Sequence, residues 1–287
     1  MEIDRIELKR RAREAMGRTE PRFWLVALVY LLATTGVSLA MDLIPFPSDP
    51  NTGLSTTSLF VTIFITLYCA VVGFGFDLWS LWTYRGLSPG LGALFQGFSV
   101  AGRVILMEIM IFLRILGWCM ILSLVLTVPI ILTSSPLGVV VLVVVIYAFT
   151  WAIQLRYALS PYLLADRPDD GAGAAVRRSV ELMRGWKWQL FKLEFSFVGW
   201  ELIKLLLSGA VLGFFLWQSG FFSALTSGSL PQLETIYYTV AGAPAAAILS
   251  NLIVLPLSLW LEPYRSVARA GFYNSRLQAQ ADNAPPL

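Results

Sequence analysis

Six long runs of apolar residues, separated by shorter polar segments, organise the sequence. A helix rises about 1.5 Å per residue, so crossing the roughly 30 Å hydrocarbon core of a bilayer takes about 20 apolar residues. Each of the six runs reaches this length and predicts a transmembrane helix. Their bounds are 23–44, 59–84, 103–132, 137–163, 190–217 and 241–261. The predicted fold class is therefore an all-α polytopic integral membrane protein with six transmembrane helices.

The distribution of Lys and Arg predicts how the spans are oriented. Seven of these residues precede the first span, and seven more lie from Arg156 to Lys192. The connections 45–58, 133–136 and 218–240 contain none. Because cytoplasmic loops are enriched in Lys and Arg, we predict a multi-pass protein of the cell membrane with both termini cytoplasmic.

The orientation divides the chain into three parts. We predict a basic amphipathic helix over 1–22, a six-helix transmembrane domain over 23–264 and a cytoplasmic tail over 265–287. Segments 91–98 and 173–183 have the length and pattern of further amphipathic helices on the cytoplasmic side. Such helices either rest on anionic lipid headgroups or fix the ends of the spans, and both interpretations remain open. Membrane lipids, anionic at the cytoplasmic face, are the expected partners.

Composition restricts the chemistry. Apolar residues make up 57% of the chain and charged residues 14%, against about 45–50% and about 25% in soluble domains, and the mean hydropathy is +0.70. The chain has no His, which excludes a Ser-His-Asp triad and His ligation of zinc or haem. Both cysteines lie in apolar runs, outside any CxxC motif. We therefore expect no cofactor, no metal site and no enzymatic activity.

Charged residues inside the predicted spans are the first candidates for function, because a charge in the bilayer is costly. Arg114, Glu201 and Lys204 are predicted to lie at a similar depth in the membrane, when depth is counted in residues from the basic residue at the start of each span. This spacing predicts an ion-pair network that joins spans three and five, with Glu201 between the two cations. The alternative is that Glu201 and Lys204 pair within their own helix and that backbone carbonyls satisfy Arg114.

Three further acids lie closer to the predicted cytoplasmic side. Asp77 is on span two, Glu108 on span three and Glu194 on span five. Polar residues follow one face of spans two and five, which predicts an acidic, inward-facing intramembrane groove. The alternative is that Glu108 and Glu194 extend to the cytoplasmic interface. Asp77 has a shorter side chain, which is less able to reach the cytoplasmic interface.

Several sequence segments carry a resemblance to a known family. They read LKRRAREA at 8–15, PYLLAD at 161–166, RSVELMRG at 178–185, WQLFKLEFSFVGW at 188–200, LWLEPY at 259–264 and AGFY at 270–273. The chain resembles an uncharacterised bacterial membrane family, domain of unknown function 975. It is more distantly similar to the membrane domain found beside glycerophosphodiester phosphodiesterases. The family usually joins its last two spans tightly, whereas here residues 218–239 intervene. The resemblance implies a helical membrane fold but no catalytic residue, because the family has no established activity.

These observations favour a transporter or a lipid- or amphiphile-binding protein that uses the acidic groove. The alternative is a non-enzymatic membrane scaffold or accessory subunit whose buried charges only fix helix packing. That alternative would give the chain a membrane-protein partner or make it a homo-oligomer. An intramembrane enzyme is the least favoured class, because no paired-aspartate, HExxH or Ser-Lys signature is present. No nucleic-acid partner is expected.

Overall fold

The computed structural model describes residues 4–44, 46, 55–133, 136–228, 235–237, 239–240 and 242–282, and contains no strand within them. The helices are α1 (Arg5–Gly17), α2 (Phe23–Leu31), α3 (Val37–Asp42), α4 (Thr56–Tyr84), α5 (Gly92–Gln96), α6 (Ala101–Thr133), α7 (Pro136–Tyr157), α8 (Ser160–Asp166), α9 (Gly171–Leu182), α10 (Lys187–Phe195), α11 (Val198–Gln218), α12 (Phe221–Ser227) and α13 (Pro244–Asp282). A π-helical turn joins α2 to α3, and short 3-10 turns precede α6 and α9.

Among the described residues, six helical segments are long and apolar enough to cross a membrane. They are Phe23–Asp42, Thr56–Tyr84, Gly92–Thr127, Val140–Asp166, Val198–Gln218 and Pro244–Asp282. The predicted all-α polytopic membrane fold with six spans is thereby confirmed. Most of the connection predicted at 45–58, and the middle of the segment 218–239, lie outside the described residues.

Two predicted spans are interrupted in the structure. The fourth span ends at Tyr157, and α8 starts afresh at Ser160 with Pro161 in its first turn. The fifth is divided at Ser196 and Phe197 into the short α10 and the long α11. Both breaks lie at the ends of the spans, next to the charged residues described below.

The last helix is longer than predicted. The sequence predicted an end to the span at residue 261 and a tail from 265, but α13 continues through Pro263 to Asp282. A proline removes one backbone hydrogen bond, but here the helix beyond it is stabilised by tertiary packing. Val267, Phe272 and Tyr273 are buried on that extension. Residues 265–282 are therefore part of the folded bundle, and α13 packs on α1, α2, α4 and α11.

The densest core lies at one end of the bundle, where α1 and α9 pack and where α4 ends at Tyr84; we call this the basic end. Fully buried side chains there include Trp79, Tyr162 and Tyr273. Toward the other end of the helices, large apolar side chains such as Phe64 and Leu124 are exposed. Lipid provides no hydrophobic drive for helices to close on one another, so apolar side chains can face the bilayer there.

Two of the predicted amphipathic helices pack against this core. Helix α1 buries Leu8, Ala12 and Met16 against α4 and α13, and α9 buries an apolar face against α6 and α8. On the exposed side of α1, hydrogen bonds from Arg10 and Arg11 lower the pKa of Glu7 to about 2. The packing supports the interpretation that these helices fix the ends of the spans, while contact with anionic lipid remains a prediction.

Glycine permits a close backbone approach between α4 and α5. A Cβ atom built on Gly75 would lie 2.0 Å from the carbonyl oxygen of Leu94, and one built on Gly97 would lie 2.4 Å from that of Val71. Gly73, two residues earlier on the same helix, faces open space. The hairpin between spans two and three therefore depends on the missing side chain at Gly75.

We predict that Gly75→Ala destabilises the protein relative to Gly73→Ala by about 1–3 kcal/mol, the usual cost of overpacking. Both variants gain the same helix propensity, so their difference isolates the contact with Leu94. Unfolding of the purified protein in detergent micelles measures it. Equal stability of the two variants would show that α4 and α5 do not meet at this point.

Candidate functional site

Five of the six candidate residues from the sequence surround one region of the bundle. Asp77 is on α4, Glu108 on α6, Glu194 on α10, and Glu201 and Lys204 are on α11. Helix α13 adds three charged side chains that the sequence analysis did not select. These are Glu262, Arg265 and Arg269.

Glu194 is the most deeply buried of these charges and binds two arginines. Its side chain is 5% exposed and accepts hydrogen bonds from Arg265 Nε at 2.6 Å and from Arg269 Nε at 2.8 Å. A buried carboxylate is tolerated when cations and hydrogen bonds compensate its charge. Glu194 therefore ties α10 to α13 and is shielded from solvent by these contacts. Its distance from the membrane interface, on which the alternative interpretation depends, stays a prediction.

A second set of ion pairs continues along α11. Lys204 Nζ lies 3.0 Å from Glu201 and 3.0 Å from Glu262, and Arg265 reaches the other oxygen of Glu201 at 3.5 Å. The pairing of Glu201 with Lys204 within one helix, considered as an alternative, is present. It is extended by two contacts across to α13.

Arg114 is not part of this network. Its guanidinium lies 5.9 Å from the centre of the Tyr157 ring on α7 and has no ion pair among the described residues. The predicted link between spans three and five is therefore wrong, and the network joins spans five and six. Equal depth does not decide which helices are neighbours: α6 packs on α7 and α9, whereas α11 packs on α13.

Asp77 is held by hydroxyl groups. Its Oδ1 accepts hydrogen bonds from the Tyr162 hydroxyl at 3.2 Å and from the Ser266 hydroxyl at 3.1 Å. No described residue donates to its Oδ2. Asp77 therefore connects α4 with α8 and α13 and keeps one free acceptor.

Two cavities meet beside Asp77. The first, about 550 Å³, follows α4 and is called the α4 cavity; the second, about 400 Å³, follows α6 and is called the α6 cavity. Five residues line both cavities and form what we call the shared centre. They are Asp77, Glu108, Pro161, Arg265 and Arg269.

Each cavity has a less charged arm that leads away from the basic end. The α4 cavity extends from Asp77 to Thr66, eleven residues or about 16 Å along the helix. The α6 cavity extends from Glu108 to Ile115, about 10 Å. Thr66 and Phe112, at or near the far parts of the two arms, are exposed. The two cavities together form a groove with a charged centre and two arms that run in the same direction.

Glu108 differs from the other carboxylates of the groove. It lines both cavities, yet no side chain or backbone group in the part of the chain that the structure describes forms a hydrogen bond or an ion pair with it. Every cation of the groove is already paired with Glu194, Glu201 or Glu262. The groove therefore holds an uncompensated acid.

The residues of α13 were missed because the segment Glu262-Pro263-Tyr264 was interpreted as a helix end. A signal was present, since Glu262, Arg265 and Arg269 follow the spacing i, i+3, i+7 of one helix face. Across the ranges that the structure describes, no group of three or more His, Cys, Asp or Glu side chains is arranged to hold a metal ion.

Residues 1–280 match the family model described as Protein of unknown function (DUF975). The chain belongs to the DUF975 family. This confirms the resemblance found in the sequence, whereas the more distant similarity to the membrane domain of glycerophosphodiester phosphodiesterases is not shown. No curated protein and no solved structure matches the chain. The function of this DUF975 protein is therefore argued from the groove itself.

We predict that Glu194→Gln lowers the free energy of unfolding by about 2–3 kcal/mol. Breaking a fully buried pair costs about 3–5 kcal/mol, and the value is reduced here because the side chains of Arg265 and Arg269 are 31% and 29% exposed. Glu108→Gln, which breaks no pair, is expected to change stability by less than about 1 kcal/mol. Titration with sodium dodecyl sulfate in mixed micelles measures both. Equal destabilisation by the two changes would contradict the assigned pairing.

Proposed function

We propose that this protein binds an amphiphile in the groove, with the polar headgroup at the shared centre and the apolar chains in the two arms. The observation that carries the proposal is the shape of the groove: two cavities share one charged centre and extend from it in the same direction. A two-chained lipid has this distribution of polar and apolar parts. Each cavity also lies within the range of about 300–1,000 Å³ typical of ligand sites.

The walls of the groove support binding from within the bilayer. The α6 cavity lies between the pair α6 and α7 on one side and α10 and α13 on the other. Phe112 on this wall is 61% exposed, so the arm has an open side where the spans are apolar. A lipid diffusing in the membrane would reach the arm without passing through water.

The distribution of Lys and Arg gives the proposal a direction. With both termini cytoplasmic, the basic end lies at the cytoplasmic face and the shared centre near the headgroups of that leaflet. The groove would then take its amphiphile from the cytoplasmic leaflet.

Transport is a second candidate function. It is favoured by the break at Ser196 and Phe197 between α10 and α11, because this break adjoins a wall of the groove.

The proposal is tested by filling one arm of the groove. Gly73 lines the α4 cavity, and a Cβ atom built on it meets no atom within 4 Å, so Gly73→Leu extends a side chain from open space into the arm. Gly209 on α11 also faces open space but lines neither cavity, which makes Gly209→Leu the matched control. Native mass spectrometry of protein released from native lipid nanodiscs reports the retained lipid.

We expect wild type and Gly209→Leu to retain a stoichiometric amphiphile and Gly73→Leu to lose it. If all three proteins release only the same loosely held bulk lipid, the groove is not a binding site. The buried charges would then serve helix packing alone, as in a membrane scaffold or accessory subunit.

A further inference from the structure

The charges around the shared centre do not balance. Three cationic side chains face five carboxylates, and the ion pairs described above use all three cations. Two acids remain outside these ion pairs: Glu108, which has no partner among the described residues, and Asp77, which is held by two hydroxyl groups. Arg269 lies near Asp77, but its ion pair is with Glu194. Both acids face the point where the two cavities meet.

From this imbalance we infer that the bound amphiphile carries a primary ammonium group in its headgroup. The inference rests on the proposed function and specifies the ligand of the same groove. The ammonium binds between Glu108 and Asp77, while the chains of the amphiphile occupy the α4 and α6 arms. Its charge compensates carboxylates that lie in a region of low dielectric constant, where an unpaired charge is costly.

The available acceptors match a primary ammonium. Asp77 Oδ1 is occupied by Tyr162 and Ser266, which leaves Asp77 Oδ2 and both carboxylate oxygens of Glu108 without a donor among the described residues. A primary ammonium has three N–H donors and no acceptor. Three free oxygens therefore meet three donors, and each hydrogen bond is strengthened by the opposite charges.

Two other headgroup types fit the shared centre less well. A quaternary ammonium has no N–H donor and is typically recognised by aromatic rings, but none of the five residues of the shared centre is aromatic. A headgroup that carries a phosphate but no amine would add negative charge that no free cation compensates, since Arg265 and Arg269 are both paired with Glu194. The shared centre therefore favours a headgroup whose amine carries N–H donors over one whose amine carries none.

The test compares three lipids that have the same dioleoyl chains and different headgroups. Purified, delipidated protein in detergent is titrated separately with phosphatidylethanolamine, phosphatidylcholine and phosphatidylglycerol, and native mass spectrometry gives each dissociation constant. We expect wild type to bind phosphatidylethanolamine about tenfold or more tightly than phosphatidylcholine, as expected for a desolvated charged hydrogen bond.

Two variants assign the preference to Glu108. Glu108→Gln is expected to lose the preference and to bind phosphatidylethanolamine and phosphatidylcholine with similar dissociation constants. Glu181→Gln, on the exposed side of α9 and outside both cavities, is the matched control and is expected to keep it. Thermal unfolding of each variant confirms that the comparison is between folded proteins.

The outcomes separate this inference from the proposed function. Equal binding of phosphatidylethanolamine and phosphatidylcholine, or a preference for phosphatidylglycerol, overturns the ammonium site and leaves amphiphile binding in place. Loss of all three lipids in Glu108→Gln also overturns it, because Glu108 would then maintain the groove without selecting the headgroup. Failure of wild type to bind any of the lipids overturns both.

Discussion

The contact of Glu194 with Arg265 and Arg269 is the interaction on which the groove depends. Removing three charges from water is costly, and the cost is compensated only while α10 and α13 keep one register. That register places Arg269 and Ser266 of α13 beside Asp77 of α4, since Ser266 lies between the two arginines on the same helix. A polar contact in an apolar environment thus defines the position of α13, the longest of the described helices.

The protein is packed differently at its two ends, and the groove lies where the packing changes. At the basic end, water drives the burial of apolar side chains, and α1, α8 and α9 close a dense core around Tyr162 and Tyr273. Further along the spans, lipid solvates apolar side chains as well as another helix does, so the pairs α6–α7 and α11–α13 can remain apart. A cavity can therefore exist between these two helix pairs without strain in the helices. Its shared centre lies next to the dense core at the basic end.

The sequence predicts the class of this structure well, because a bilayer requires about 20 apolar residues in each span and the chain presents six such runs. It identifies Asp77, Glu108 and Glu194 around the groove, since a charge in an apolar helix is conspicuous. It does not predict the neighbours of Arg114, because the depth of a residue along its helix does not reveal which other helix lies beside it. It also fails beyond Pro263, where tertiary contacts made by Tyr273 and its neighbours outweigh the local preference of proline to end a helix.

The most direct test of this account is an experimental structure of the wild-type protein in nanodiscs that contain phosphatidylethanolamine, determined by electron cryomicroscopy. The account predicts two-armed density that fills the α4 and α6 cavities, with its polar end within about 3 Å of Glu108, the distance of a hydrogen bond. A structure in which α6 and α7 close on α11 and α13, and protein side chains fill both cavities, would contradict it.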